Sequence, residues 1–215
     1  MKAQLELPTR VKICGITRVQ DARYAAGSGA DAIGIVFYPP SSRFVSDLVL
    51  ARDIALAVGP LVTVVGLFVD AVPQDIEKTL AEVPLNLLQF HGGEQNADCE
   101  RFGRPFIKAL RMKESIEVEA VMASYPSASG FLLDTYVSGS PGGTGQVFDW
   151  ERVPSQPAKP IILAGGLDEH NVHEAVQIAS PYAVDVSGGV EAQPGIKSYE
   201  KINAFIKSAK GVSHA

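Results

Sequence analysis

Short apolar runs recur along the chain, with polar or amphipathic stretches between them. Eight such runs, at 11–16, 32–37, 61–69, 85–90, 106–111, 130–135, 160–164 and 183–187, are each nearly continuous and mostly rich in Val, Ile or Leu. A strand covered on both faces needs continuous rather than alternating apolar patterning, so the runs predict the strands of a buried parallel sheet. The stretches at 18–26, 47–58, 73–81, 94–102, 115–125, 169–179 and 199–209 have helix-forming composition, and 149–153 is a shorter candidate ahead of Pro154. Asp168 is placed to N-cap the helix at 169–179. Successive strand starts lie 21–30 residues apart. Eight βα units at that rhythm predict an α/β fold, a single-domain (β/α)8 TIM barrel with parallel strands. An open doubly wound sheet is the alternative. The barrel domain is expected over 11–209, between an N-terminal extension at 1–10 and a C-terminal tail at 210–215.

Composition narrows the class. The 215 residues are 46% hydrophobic and 20% charged, an ordinary globular mix with room for one domain of barrel size. The net charge of −5, with no Lys/Arg run, argues against a nucleic-acid partner. Two cysteines, Cys14 and Cys99, are too few for a disulfide scaffold. The first ten residues lack the apolar segment of a signal peptide. The longest uncharged apolar run, 54–69, has 16 residues and is broken by Gly59-Pro60. A membrane-spanning helix needs about 20. The expectation is a cytoplasmic protein with no membrane partner.

In a parallel barrel, function gathers at the carboxyl ends of the strands and in the loops that follow. Cys14, Arg43, Gln89, His91, Arg111, Asp134 and Asp185 all fall there. So do three glycine-rich turns, Gly142-Gly143-Thr144-Gly145, Gly165-Gly166 and Gly188-Gly189. Converging backbone N–H groups suit a phosphate, and plain tight turns are the alternative. Neither a dinucleotide fingerprint nor a P-loop is present. Strand alternation puts Lys12 and Cys14 on one face, opposite Ile13. Cys14 is then either a small core residue or a reactive thiol. Asp134 is either a reacting carboxyl, or a cap or partner of a strand lysine such as Lys12. Arg43, after the stiff 38–42 loop, either grips a carboxylate at two points or lies on the surface. His91 either lines the pocket or bonds a neighbouring loop. His170 and His173 lack further converging ligands and read as a solvated helix face, so no metal is expected. His214 lies in the polar tail.

These motifs, taken in order, resemble the phosphoribosylanthranilate isomerases of tryptophan biosynthesis. Lys12-Ile13-Cys14-Gly15-Ile16-Thr17 resembles the family's opening signature. Ser42-Arg43, Gln89-Phe90-His91-Gly92, Leu132-Leu133-Asp134, the turn at 142–145, Leu163-Ala164-Gly165-Gly166-Leu167 and the segment from Asp185 to Glu191 follow in the family's order. There are two departures. Gly188 stands where the family usually has a second serine, and Phe90 where it often has leucine.

The resemblance implies a cofactor-free Amadori rearrangement. N-(5-phosphoribosyl)anthranilate would become 1-(2-carboxyphenylamino)-1-deoxyribulose 5-phosphate. Asp134 matches the family's general acid and Cys14 its general base. The acid should be held protonated by desolvation, and the thiol should be acidified by a nearby cation such as Lys12. Arg43 matches the contact to the anthranilate carboxylate. His91, Gly143, Gly145, Gly165, Gly166, Gly188 and Gly189 match substrate positions, the glycine turns holding the phosphate. Lys12, Gln89, Arg111 and Asp185 support the site. The expected partner is this small molecule, with the chain a monomer or homodimer. Two rivals are another phosphosugar enzyme on the same barrel and a phosphosugar-binding protein without turnover. A metal-dependent epimerase would need converging His and carboxylates, and a binding protein has no need of both Cys14 and Asp134.

Overall fold

The computed structural model describes residues 8–135 and 147–211. Strands β1 (Arg10–Ile13), β2 (Ala32–Val36), β3 (Thr63–Phe68), β4 (Leu87–Phe90), β5 (Phe106–Met112), β6 (Gly130–Thr135), β7 (Ile161–Leu163) and β8 (Ala183–Val186) pair in sequence order. All pairings are parallel, and β8 returns to β1 with Lys12 beside Asp185 and Ile13 beside Val186. That last pairing closes the barrel and removes the open doubly wound alternative.

Helices α1 (Val19–Gly27), α2 (Leu48–Leu56), α3 (Pro73–Glu82), α4 (Asn96–Glu100), α5 (Val118–Ala123), α6 (Val172–Ala179) and α7 (Tyr199–Lys210) follow strands β1 to β5, β7 and β8. Local chemistry sets several ends. Asp47 accepts from the N–H groups of Val49 and Leu50 to start α2, and Ser198 caps α7, which Gly211 ends in the left-handed region at φ 66°. The expected helices at 94–102 and 115–125 shrink to single short turns, α4 and α5. The segment 149–153 is a 3-10 turn, Trp150–Arg152, begun by the Asp149 carboxylate accepting from Glu151 N–H.

Asp168 does not cap α6. Its Oδ1 accepts from the N–H groups of His170 at 2.8 Å and Asn171 at 3.1 Å, closing a turn that precedes the helix. Asn171 holds the N-cap position instead, and its side chain turns back to the Asp168 N–H and the Gly166 carbonyl. A further feature was not expected. The hairpin β9 (Glu191–Gln193) and β10 (Ile196–Lys197) follows a 3-10 turn at Gly188–Val190. Among the described residues no helix is long and apolar enough to cross a membrane.

Strand alternation divides the core in two. Val11, Ile13, Ile33, Ile35, Leu88, Phe90, Phe131, Leu133, Val184 and Val186 face outward into the layer beneath the helices. Ile107, Ala109, Leu132, Ile162, Ala164 and Ala183 form a smaller cluster inside the barrel. Toward the carboxyl ends the inward positions are mostly polar, at Cys14, Gln89, Arg111, Asp134 and Asp185, with the apolar Val36 and Leu67 among them. An aromatic file, Phe37–Phe68–Phe90–Phe106, runs behind β2 to β5 and stiffens the wall on which they stand.

Candidate active site

A cleft of about 790 Å³ opens at the carboxyl ends of the strands. Cys14 follows β1, Asp134 belongs to β6 and Asp185 to β8; all three line the cleft, as do Gln89, His91, Arg43 and Arg111. Lys12 does not line it. Alternation places Lys12 one step deeper on the inward face of β1, only 5% exposed. On the shorter arc β7 and β8 separate β6 from β1, so Asp134 and Cys14 look into the cleft from different sides.

Lys12 Nζ lies 2.8 Å from Asp185 Oδ1, inside the barrel. The strand lysine is therefore paired with Asp185, and the alternative of an Asp134–Lys12 bridge is not realised. Asp134 bonds His91 instead. Burial tends to lower the Lys12 ammonium, but Asp185 and the Cys14 thiol together hold it above its ordinary value. Cys14 goes the other way from expectation. Burial pushes the thiol up, and although Lys12, and more weakly Lys197, pull it down, Asp185 adds to the rise and the net direction is upward. A cation does stand beside the thiol, but the thiol is not acidified, because burial outweighs the pull of Lys12 and Asp185 offsets part of that pull. Gly34, on the neighbouring strand, makes room for the pair: a Cβ there would sit 2.7 Å from Cys14 Sγ and 3.2 Å from Lys12 Cε.

Arg43 is no free surface side chain. Its Nε and Nη2 donate to the two oxygens of Glu191, each at 2.7 Å. Glu191 also receives Lys197 Nζ at 2.9 Å, and Lys197 donates to the Ser187 carbonyl at 3.0 Å. Glu191 and Lys197 are 9% and 3% exposed. Sequence reasoning missed this pair as a support for Arg43. The available signal was Pro194-Gly195, a turn dipeptide between two short extended segments, with Gly195 at φ 79°. The resulting hairpin returns Lys197 to Glu191.

The glycine turns after β7 and β8 line the same cleft, at Gly165, Gly166, Gly188 and Gly189. The turn at 142–145, with Gly143 and Gly145, lies outside the described residues. Gly165 packs against Thr135 and Asp134 and has φ 85°, a position closed to a side chain. A Cβ on Gly188 would stand 3.3 Å from Arg43 Nη2. Next to it, Ser187 Oγ is buried in the cleft wall without a hydrogen-bond partner in the described residues.

On the opposite wall His91 lines the cleft and bonds two site residues rather than a loop. Its Nδ1 lies 3.2 Å from Gln89 Nε2, and its Nε2 lies 3.2 Å from Asp134 Oδ2. The turn after His91 is pinned by a buried pair that sequence reasoning missed. Lys108 Nζ meets Glu94 Oε2 at 3.0 Å and the Gly92 carbonyl at 2.6 Å, while Gly92 N–H donates back to Glu94. His170 is largely exposed, and the His173 ring contacts the Ser208 carbonyl at 3.3 Å.

Comparison with known proteins agrees with this geometry. The sequence profile of the N-(5'phosphoribosyl)anthranilate (PRA) isomerase family matches residues 11–208. The chain is 56% identical over 199 residues to the N-(5'-phosphoribosyl)anthranilate isomerase of Cellvibrio japonicus, covering 93% of this chain and 92% of that one. The crystal structure of phosphoribosyl anthranilate isomerase from Thermotoga maritima superposes with a TM-score of 0.85 at 40% identity, over 95% of this chain and 100% of that one. A phosphoribosyl anthranilate isomerase solved in complex with reduced 1-(o-carboxyphenylamino)-1-deoxyribulose 5-phosphate superposes with a TM-score of 0.83 at 38% identity, over the same shares. With a closed eight-stranded barrel, and a thiol and a carboxyl facing one cleft at its mouth, the chain belongs to the N-(5'-phosphoribosyl)anthranilate isomerase family.

Proposed function

We propose that this chain converts N-(5-phosphoribosyl)anthranilate into 1-(2-carboxyphenylamino)-1-deoxyribulose 5-phosphate by acid–base catalysis from its own side chains. The observation that carries the reading is that Cys14 and Asp134 face a single cleft from different strands, beside an anchored Arg43. Asp134 gives a proton to the furanose ring oxygen. The C1–O bond breaks toward that oxygen, and the nitrogen lone pair forms the C=N bond of a Schiff base. Cys14 then removes the C2 proton, and the C–H pair becomes the C1=C2 bond of an enolamine while nitrogen regains its lone pair. Proton transfer from the C2 hydroxyl to C1 gives the ketone. Atoms and electrons balance without an oxidant or a cofactor.

The surroundings fit these steps. Burial raises the Cys14 thiol, so it first releases its proton to solvent, with Lys12 the cation beside the thiolate so formed, and a proton from solvent returns Asp134 to its acid form after the rearrangement. Arg43 spends Nε and one Nη2 proton on Glu191, which leaves Nη1 for the anthranilate carboxylate. The turns at 165–166 and 188–189, with the unpartnered Ser187 hydroxyl, supply donors for the phosphate. The test is the loss of fluorescence of freshly made phosphoribosylanthranilate, followed with and without a chelator. Loss at equal rates in both is expected. No loss would overturn the activity, and loss abolished by the chelator would overturn the mechanism.

A further inference from the structure

Gln89 is an odd residue to find where it is. It occupies an inward position of β4, is 1% exposed, and sits between Leu67 of β3 and Ile107 of β5 in the barrel register. Its amide oxygen is buried with no hydrogen-bond partner among the described residues. A methionine would fill the same space without an unpaired oxygen, so packing does not explain an amide here. Its one polar side-chain contact among the described residues is Nε2 to His91 Nδ1, at 3.2 Å, and the far side of that ring meets Asp134 Oδ2, also at 3.2 Å. The three side chains form a chain from β4 across the mouth of β5 to β6.

We propose that Gln89 is a positioning residue that fixes the tautomer of His91 and thereby leaves Oδ1 of Asp134 as the oxygen that carries the reacting proton. A neutral imidazole has one N–H donor and one lone-pair nitrogen. An amide NH2 facing Nδ1 requires the lone pair there, which puts the proton on Nε2. That N–H then donates to Asp134 Oδ2, which accepts whether the carboxyl is ionised or is protonated on its other oxygen. Were the amide reversed, Nδ1 would carry the proton, Nε2 would present a lone pair, and the Asp134 proton would be drawn to Oδ2, against the histidine. Oδ1 lies on the Gly165 side, where the Cβ that Gly165 lacks would come within 2.7 Å of it, and both residues line the cleft. Gln89 thus keeps the acid's proton on the oxygen that the histidine does not hold.

This inference rests on the assignment of Asp134 as the acid. It can be separated from that assignment by reading the histidine directly. Long-range proton–nitrogen spectra of the uniformly labelled enzyme, with His91 among four histidines assigned through His91→Asn, show which ring nitrogen is protonated. The expected result is a lone pair on Nδ1 and a proton on Nε2. Gln89→Glu replaces the donor by an acceptor of equal length and should move the proton to Nδ1. Gln89→Met should lose the preference while keeping the melting temperature. In both variants kcat should fall about ten- to a hundred-fold with KM changed less than about two-fold, the range seen for residues that orient another group. A wild-type ring protonated on Nδ1 overturns the proposal while the acid assignment stands. So does full kcat in Gln89→Met. Full kcat in Asp134→Asn overturns the acid assignment instead and leaves the tautomer result intact.

Discussion

Arg43 and Glu191 are 148 residues apart in sequence and meet in a two-point ion pair, with both N···O distances 2.7 Å. Glu191 is held in turn by the buried Lys197. The guanidinium therefore reaches the cleft already oriented. Arg43→Ala should lower kcat/KM about ten- to a hundred-fold, mainly through KM, since a charge-assisted bond is worth about 1.5–3 kcal/mol. Glu191→Gln keeps the guanidinium but loosens it, and should raise KM by less than Arg43→Ala does. Steady-state kinetics on both variants checks the order. Equal KM in wild type and Arg43→Ala would remove Arg43 from substrate binding.

The Cys14 thiol should be slow to ionise. Burial raises it, opposed by Lys12 and supported by Asp185, so its thiolate forms only above the ordinary cysteine range. The sign follows: the fraction of thiolate, and with it the rate of alkylation by iodoacetamide, rises with pH and is half-maximal at a pH above that of an unperturbed thiol. Mass spectrometry assigns the label to Cys14 over the buried Cys99, whose thiol is pushed up to about 12. A labelling rate already at its plateau near neutral pH would contradict this.

Gly34 should tolerate nothing larger than hydrogen. The Cβ of Gly34→Ala would come 2.7 Å from Cys14 Sγ, against van der Waals contact at 3.4 Å or more. The thiol must shift, so kcat should fall at least ten-fold, in line with the sensitivity of proton transfer to sub-ångström placement. Wild-type kcat in this variant would show that the Sγ position is not critical.

How much of this was readable in the sequence depended on range. The strands announced themselves because each is buried on both faces, and the barrel followed from their spacing. Lys12, Cys14, Asp134 and Asp185 were legible because inward positions at strand ends have little room for charge unless it is used. Helix ends were less legible: α4 and α5 are short where the composition suggested more, and Asn171 displaced Asp168 as the N-cap because its side chain bonds backward to Asp168 and Gly166. Tertiary pairing was not legible at all. Nothing local to Arg43 names Glu191, nothing local to Lys108 names Glu94, and the sequence offered Asp134 as a possible partner of Lys12 where the structure pairs it with Asp185. The direction of the Cys14 shift was not legible either, since it depends first on how deeply the folded chain buries the thiol, and then on the balance of Lys12 against Asp185.

Inorganic phosphate should compete weakly with substrate. The turns at 165–166 and 188–189 and the Ser187 hydroxyl would recognise the anion whatever it is attached to. Titration at constant ionic strength should raise KM without changing kcat. A purely ionic-strength effect, with sodium chloride equally potent, would place the phosphate elsewhere.

The most direct test of the central claim is kcat measured together with melting temperature for Cys14→Ala and Asp134→Asn. General acid and base steps are each worth about 10²–10⁴-fold. Both variants should lose activity on that scale while melting near the wild-type temperature, and the double variant should be little worse than the poorer single one, because the two groups serve successive proton transfers. A core cysteine predicts the reverse, a lowered melting temperature from the small cavity with turnover kept. Retained kcat in Cys14→Ala would contradict the base, and retained kcat in Asp134→Asn would contradict the acid.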